Sequence, residues 1–268
     1  MNGEWAQLIA LVAHGNYFLT HPEISKMDLS ANSTFQYVNE VTFVRYKSTL
    51  DPKGVKVAGN VADWLDILRE RKVTRLWNIG FSWDRSDMAE HIAVAFASGV
   101  PIAIQVDLPE GYELWYPLWK TGGKPQKPWF VEYRGLVFSY SHAANQMSME
   151  DVKVRLHNAI ITTEQFSRRL EVNLDGWADT FTSALTLLNS ENPIAPYHPD
   201  MLPNTGFSLE ARQILCAAAR AYVFGGMGSW NDLGFTQPEV QKEYQEISKT
   251  LYMAVKMSIL MASNSFQQ

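Results

Sequence analysis

Three acids, Asp84, Asp87 and Glu90, follow closely on the aromatic side chain of Trp83. A carboxylate held in an aromatic cleft can attack a sugar carbon or assist the departure of a base, so this cluster points to chemistry at a glycosidic bond. The same residues also have an architectural reading. Asp87-x-x-Glu90 has the spacing of a capping box with Asp87 as N-cap, and acids near a helix start are favoured by the macrodipole.

A second constellation is Gly225-Gly-Met-Gly-Ser-Trp-Asn-Asp-Leu-Gly234. Gly226 and Gly228 permit positive φ and close backbone approach. Asn231 and Asp232 can hydrogen-bond a ribose or a base edge while Trp230 stacks on it. The plainer alternative is a helix terminator in a helical hairpin, with Trp230 as a plug in the core.

Other chemistries find no support. The chain has neither a Gly-x-x-x-x-Gly-Lys-Ser/Thr loop nor a Gly-x-Ser-x-Gly elbow. Histidines 14, 21, 91, 142, 157 and 198 show no metal-ligand spacing, and Cys216 is the single cysteine, so neither a metal site nor a disulfide framework is expected. Cys216 sits among Ile214, Leu215 and three alanines, the setting of a small buried hydrophobe. No cofactor is implied.

The elements that position these residues follow from periodicity. Trp5 to Ala13 is apolar but too short to span a bilayer, and no Lys or Arg comes before Lys26, so it reads as a first helix in a cytoplasmic protein without membrane segments. Residues 35–46 read as one strand or two short ones, and Asp51, Pro52 and Gly54 as a turn. Val61, Trp64, Leu65 and Leu68 mark a helix from about Asn60 to Lys72, and Thr74 to Gly80 is an apolar strand. From Asp84 to Ser98 an apolar stripe of Met88, Ile92, Ala93 and Phe96 predicts a helix, with Gly99 as its left-handed cap and Ile102 to Val106 as the next strand. Strand, helix and strand so close together imply a parallel pair with a right-handed crossover. The expected fold is therefore α/β, an open and mostly parallel sheet with flanking helices, followed by a mainly helical C-terminal half. Residues 1–145 would form the Rossmann-like domain and 146–268 the helical region packed on it.

Residues 109–130 combine three further prolines, a Gly-Gly pair and Trp115, Trp119 and Trp129, and read as a long aromatic loop or lid before a strand at about 129–139. Beyond 145 the patterns are helical: Ser148 and Asp151 at one cap, then Trp177, Phe181, Leu185 and Leu188 on another helix. Four prolines, at 193, 196, 199 and 203, separate these from two last helices. The last is expected to start at Thr236, with Pro238 and Glu239 completing the cap, and to carry Tyr244, Ile247, Leu251, Val255 and Ile259 inward. At about 27 residues and roughly 40 Å it would cross the domain or project into a partner subunit.

The run Asp87-Met-Ala-Glu90-His-Ile-Ala-Val-Ala-Phe-Ala-Ser-Gly99-Val-Pro101-Ile resembles the segment of nucleoside 2-deoxyribosyltransferases that carries the nucleophilic glutamate. More distantly it is similar to TIR domains, which cleave the nicotinamide–ribose bond of NAD with a glutamate placed early in such a helix. The resemblance implies that Glu90 is the nucleophile and Asp87 a neighbouring polar contact. The expected activity is then on the N-glycosidic bond of a nucleoside or nucleotide, by transfer or hydrolysis, with Asp84 or Asp87 orienting the sugar. Trp83, Gly226, Gly228, Trp230, Asn231 and Asp232 would complete the pocket, in part from a neighbouring subunit of a homo-oligomer. The competing expectation is a non-catalytic α/β protein that assembles through its C-terminal helices. A net charge of −5 with scattered Lys and Arg argues against binding to duplex nucleic acid. A composition of 46% hydrophobic and 19% charged residues is that of a folded globular chain.

Overall fold

The computed structural model describes the chain except residues 2, 52, 82–87, 97–98, 139–146, 170 and 268. Helix α1 (Gly3–Thr20) opens it, followed by β1 (Val38–Arg45), β2 (Val55–Ala58), α2 (Val61–Glu70) and β3 (Arg75–Gly80). One short turn of helix, α3 (Glu90–Ala93), precedes β4 (Ile102–Asp107), β5 (Tyr112–Lys124) and β6 (Lys127–Phe138). Then come α4 (Met149–Arg168), α5 (Asp175–Leu188), α6 (Leu209–Ala221) and α7 (Pro238–Ser263). The chain is thus α/β, and every described strand lies before residue 139.

The sheet departs from expectation. Its order is β2-β1-β6-β5-β4-β3, and among these neighbours β1 and β6 alone run parallel. β3 and β4 are antiparallel, with Arg75 opposite Asp107 and Gly80 opposite Ile102. A parallel crossover needs a connection that runs back along the sheet, usually a helix of some length. Within the described residues the expected helix from Asp84 to Ser98 is reduced to α3, and its apolar stripe is buried only in part: Ala93 is buried, but Ile92 is 43% and Phe96 61% exposed. The chain therefore turns back instead of crossing over. Gly99 serves that turn through close approach, since a Cβ there would lie 2.2 Å from the Ala93 carbonyl oxygen.

Residues 109–130 are not a lid. Most of them form the hairpin β5–β6, in register from Tyr112 opposite Phe138 to Lys124 opposite Lys127. Its inner end is core. Trp115 packs edge-on against Trp64, which stacks on Phe43 with ring centres 4.3 Å apart. Buried Glu113 accepts from both terminal nitrogens of Arg71, at 3.0 and 2.7 Å, and from Trp115 Nε1 at 3.1 Å. The sequence pattern missed this because prolines and glycines mark loops when read locally, whereas a hairpin long enough to pair elsewhere tolerates them at its edge and bulge.

Helix α1 is buried on nearly every side, as an all-round apolar helix must be. Asn16 anchors it to β3, donating to the Leu76 carbonyl at 2.9 Å and accepting from the Leu76 amide at 2.8 Å. Asn60 caps α2, and Ser148 caps α4 as its sequence predicts, each accepting from the third residue on. Helix α7 starts at Pro238 with Gln237 at the N-cap, so the Thr236 capping box does not form. Its inward face, Tyr244 to Ile259, is buried within this chain. Its far end is held to β3, where Asn264 accepts from the Asn78 amide at 2.7 Å and donates to the Asn78 carbonyl at 2.8 Å. One hydrophobic cluster runs from Trp5 through Trp115 and Trp230 to Ile259, joining sheet and helices. No described helix is long and apolar enough to cross a membrane.

Candidate functional site

Trp83, Asp84 and Asp87 lie outside the described residues. Glu90 is the first residue of α3, whose N-cap is Ala89, so the capping-box reading of Asp87 and Glu90 falls. Its carboxylate is instead tied to α7. Oε1 accepts from Tyr252 Oη at 2.8 Å and from Lys256 Nζ at 2.5 Å, and Lys256 also donates to the Phe81 carbonyl at 2.6 Å. The two side chains are 14% and 9% exposed. Burial above all, with the charges of Tyr222 and Glu90 added, pushes the Tyr252 hydroxyl far above its usual range, so it stays a donor. Burial also holds the neighbouring His91 below the usual histidine range, against the pull of Glu90.

The glycine-rich segment is turned inward. Trp230 is fully buried, donates to Ser248 Oγ at 2.7 Å and packs edge-on against Trp177 and Phe181. It is the core plug, and no ring face is left for a ligand. Asp232 accepts from the amides of Gly228 and Ser229, capping a short 3-10 turn, while Gly228 takes a φ of +84°. Asn231 donates to the His91 carbonyl at 2.9 Å. Trp230, Asn231 and Asp232 each make contacts within the chain.

What these residues hold in place is a cavity of about 580 Å³, within the range of small-molecule sites. Gly3 and Glu4 at the start of α1 form one side, and Val94 to Phe96, directly after α3, another. Gly225 and Gly226 close it from the glycine-rich segment. Trp119 of β5 and Trp129 of β6 form an aromatic wall, their rings edge-to-face with centres 5.7 Å apart. Tyr37, Phe96 and Tyr197 stand at the rim, 60%, 61% and 66% exposed.

Two polar features face this space. Glu4 is 6% exposed, and its charge adds to burial in raising the hydroxyls of Tyr133 and Tyr222. The second is a chain of three residues drawn from distant segments. Ser33 Oγ donates to Asp200 Oδ1 and lies 3.1 Å from His198 Nδ1. Since the hydroxyl proton goes to Asp200, Nδ1 is the donor to Oγ, which leaves Nε2 as the acceptor. Burial first, then the nearby amino group of Met1, holds His198 below the usual histidine range despite Asp200. The imidazole is therefore neutral at pH 7 and able to accept a proton.

Among the described residues of the sequence-expected pocket, Gly226 lines this cavity; Glu90 and Asn231 support its wall through α3. Glu4, Ser33 and His198 were missed, and no local signal marks them. Glu4 reads as an ordinary first-turn acid, and His198 as one of several scattered histidines. Trp119 and Trp129, which read as part of an aromatic loop or lid, stand on the hairpin β5–β6 and line the cavity from there.

Among the described residues no His, Cys, Asp and Glu cluster is placed to hold a metal ion. Cys216 is buried, and desolvation pushes its thiol up to about 11, which suits a packing role. Comparison with protein-family models, curated proteins and solved structures found no match to this chain.

Proposed function

We propose that the protein acts on the N-glycosidic bond of a nucleoside or nucleotide bound in the cavity between Glu4, Trp119 and His198. The observation that carries this reading is the combination, in one space of about 580 Å³, of an aromatic wall, a buried acid and a neutral imidazole. Each matches one demand of the reaction. A base stacks on Trp119 and Trp129. Glu4 offers negative charge where the sugar carbon becomes positive as the bond lengthens. His198 Nε2 takes a proton from the attacking water.

The reading moves the reactive acid from Glu90 to Glu4. A carboxylate sharing an oxygen with a buried lysine and a tyrosine is already neutralised and is a poor nucleophile. Glu90 then acts as a positioning residue, holding the first turn of α3 so that Val94 to Phe96 wall the cavity.

Base release from a panel of nucleosides and 5′-nucleotides, followed by chromatography, tests the proposal. Glu4→Gln and His198→Asn should each lower turnover by about a hundredfold with an unchanged circular dichroism spectrum. Full activity in Glu4→Gln, or no base released from any member by the parent protein, would overturn it.

One feature favours a second reading, a non-catalytic protein that assembles through its C-terminal helices. A groove of about 680 Å³ between α4 and α7 leaves Met253 49% exposed. Light scattering on serial dilution tests it: a monomer mass throughout would end that reading.

A further inference from the structure

We propose that the groove between α4 and α7 binds a medium-chain monocarboxylate, its carboxylate at Arg155 and Ser258 and its alkyl chain along the apolar floor. This goes beyond the N-glycosidic reading and does not depend on it, since the groove and the first cavity share no described lining residue.

The site is marked by Ser258. It lines the groove and is 1% exposed, and its Oγ has no hydrogen-bond partner. A hydroxyl buried in a helix ordinarily donates to the carbonyl one turn back. Thr163 and Ser167 of α4 do so, to the carbonyls of Ala159 and Thr163 at 2.8 Å each. A buried hydroxyl without a partner costs stability, and native chains keep few of them. This one borders a space of about 680 Å³, within the range of small-molecule sites. A ligand oxygen arriving there supplies the missing partner.

The layout of the groove identifies that ligand. Arg169, just after α4, pairs with Glu243 near the start of α7 at 2.6 Å, so the two helices that line the groove run antiparallel. Counting back along α4 and forward along α7 from this pair sets Thr162 level with Thr250, Ala159 with Met253 and Arg155 with Met257. Arg155 and Ser258 thus share one end of the groove. Lys249 and Glu246 lie toward the other end, with Lys249 roughly 13 Å from Ser258 at the helical rise per residue. Between the ends the floor is apolar, built from Ala159 of α4 and Met253 and Ala254 of α7.

A guanidinium and a hydroxyl side by side match a carboxylate, and the floor matches a chain without polar atoms. Methionine side chains adapt to such a chain. At the far end Glu246 stands beside Lys249, so a second carboxylate would meet both signs of charge and gain little. A helix of a second copy, about 10 Å across with its side chains, would rest on the rim. A single alkyl chain is thin enough to bring its oxygens to the buried hydroxyl.

Titration calorimetry on the full chain with decanoate, 1-decanol and decanedioate tests the proposal. Decanoate should bind at least about tenfold more tightly than either of the others. Arg155→Met should bring it close to parity with decanol. Ser258→Ala should weaken decanoate about tenfold, yet leave the urea midpoint of the ligand-free protein at or above that of the parent, because an orphaned hydroxyl is removed. A lowered midpoint would show that Ser258 serves the fold, and would overturn the assignment. So would decanoate binding unchanged in both variants, or no binding by the parent. A dimer mass in light scattering, together with no decanoate binding, would give the groove to a second copy instead.

Discussion

Glu90 and Glu4 are both largely buried acids set in different places, one joining two helices and the other lining a cavity. Glu90 shares its Oε1 with Lys256 and Tyr252, and those contacts join α3 to α7. Glu4 lies on a cavity whose described lining holds no Lys or Arg. Glu113, within the sheet, belongs with Glu90: it is fully buried against Arg71, with Arg45 nearby. An acid matched by a cation within hydrogen-bond reach is an internal fastening, because its charge is spent holding two elements together. An acid on the lining of an open cavity is within reach of a bound molecule, and such placements are the ones that sites use. The pair thus separates what builds the cavity from what works in it.

The contrast breaks most easily at Lys256. Lys256→Met leaves Glu90 buried without its cation and should cost about 3–5 kcal/mol in urea unfolding. Adding Glu90→Gln to that variant should recover a large part of the loss, because the orphaned charge is then gone. A single variant as stable as the parent would mean that the pair is no fastening. Asn231→Ala removes the donor to the His91 carbonyl and should cost about 1 kcal/mol. It should also weaken ligand binding in the cavity modestly, since α3 carries part of the wall. A stability loss with no change in binding would detach the glycine-rich segment from the site.

Acid pH gives a smaller effect. His91 and His198 are both held below the ordinary histidine value of about 6.5, in each case chiefly by burial. The unfolded chain then binds protons more readily than the folded one, so stability rises with pH through this window. The contribution is full above the unfolded value and is lost as pH falls toward the depressed folded values. His91→Asn should therefore flatten the fall in urea midpoint between about pH 7 and pH 5, and an unaltered slope would rule His91 out as a contributor.

Much of the fold was legible because its signals are local. Val61, Trp64, Leu65 and Leu68 recur with the helical period and face the core in α2, and Ser148 caps α4 as its spacing requires. The strands at 75–80, 102–107 and 127–138 lie close to where their apolar and β-branched residues put them. The glycine-rich segment was ambiguous between ligand contact and helix terminator, and Trp230 resolved that by burying its whole ring. The hairpin was misread because Pro117, Gly122 and Pro128 signal loops when each is taken alone.

The sequence by itself determined the α/β class, the helical second half and the faces that these elements bury, because hydrophobic period and capping depend on residues a few positions apart. Strand direction was decided by tertiary structure. Nothing in the period of β3 or β4 says whether the second strand runs with the first or against it, and their antiparallel pairing is set by contacts across the sheet. The cavity is the stronger case. Glu4, Ser33, Trp119 and His198 come from four separate segments and meet only when non-local packing closes, so their convergence has no trace in the order of the chain.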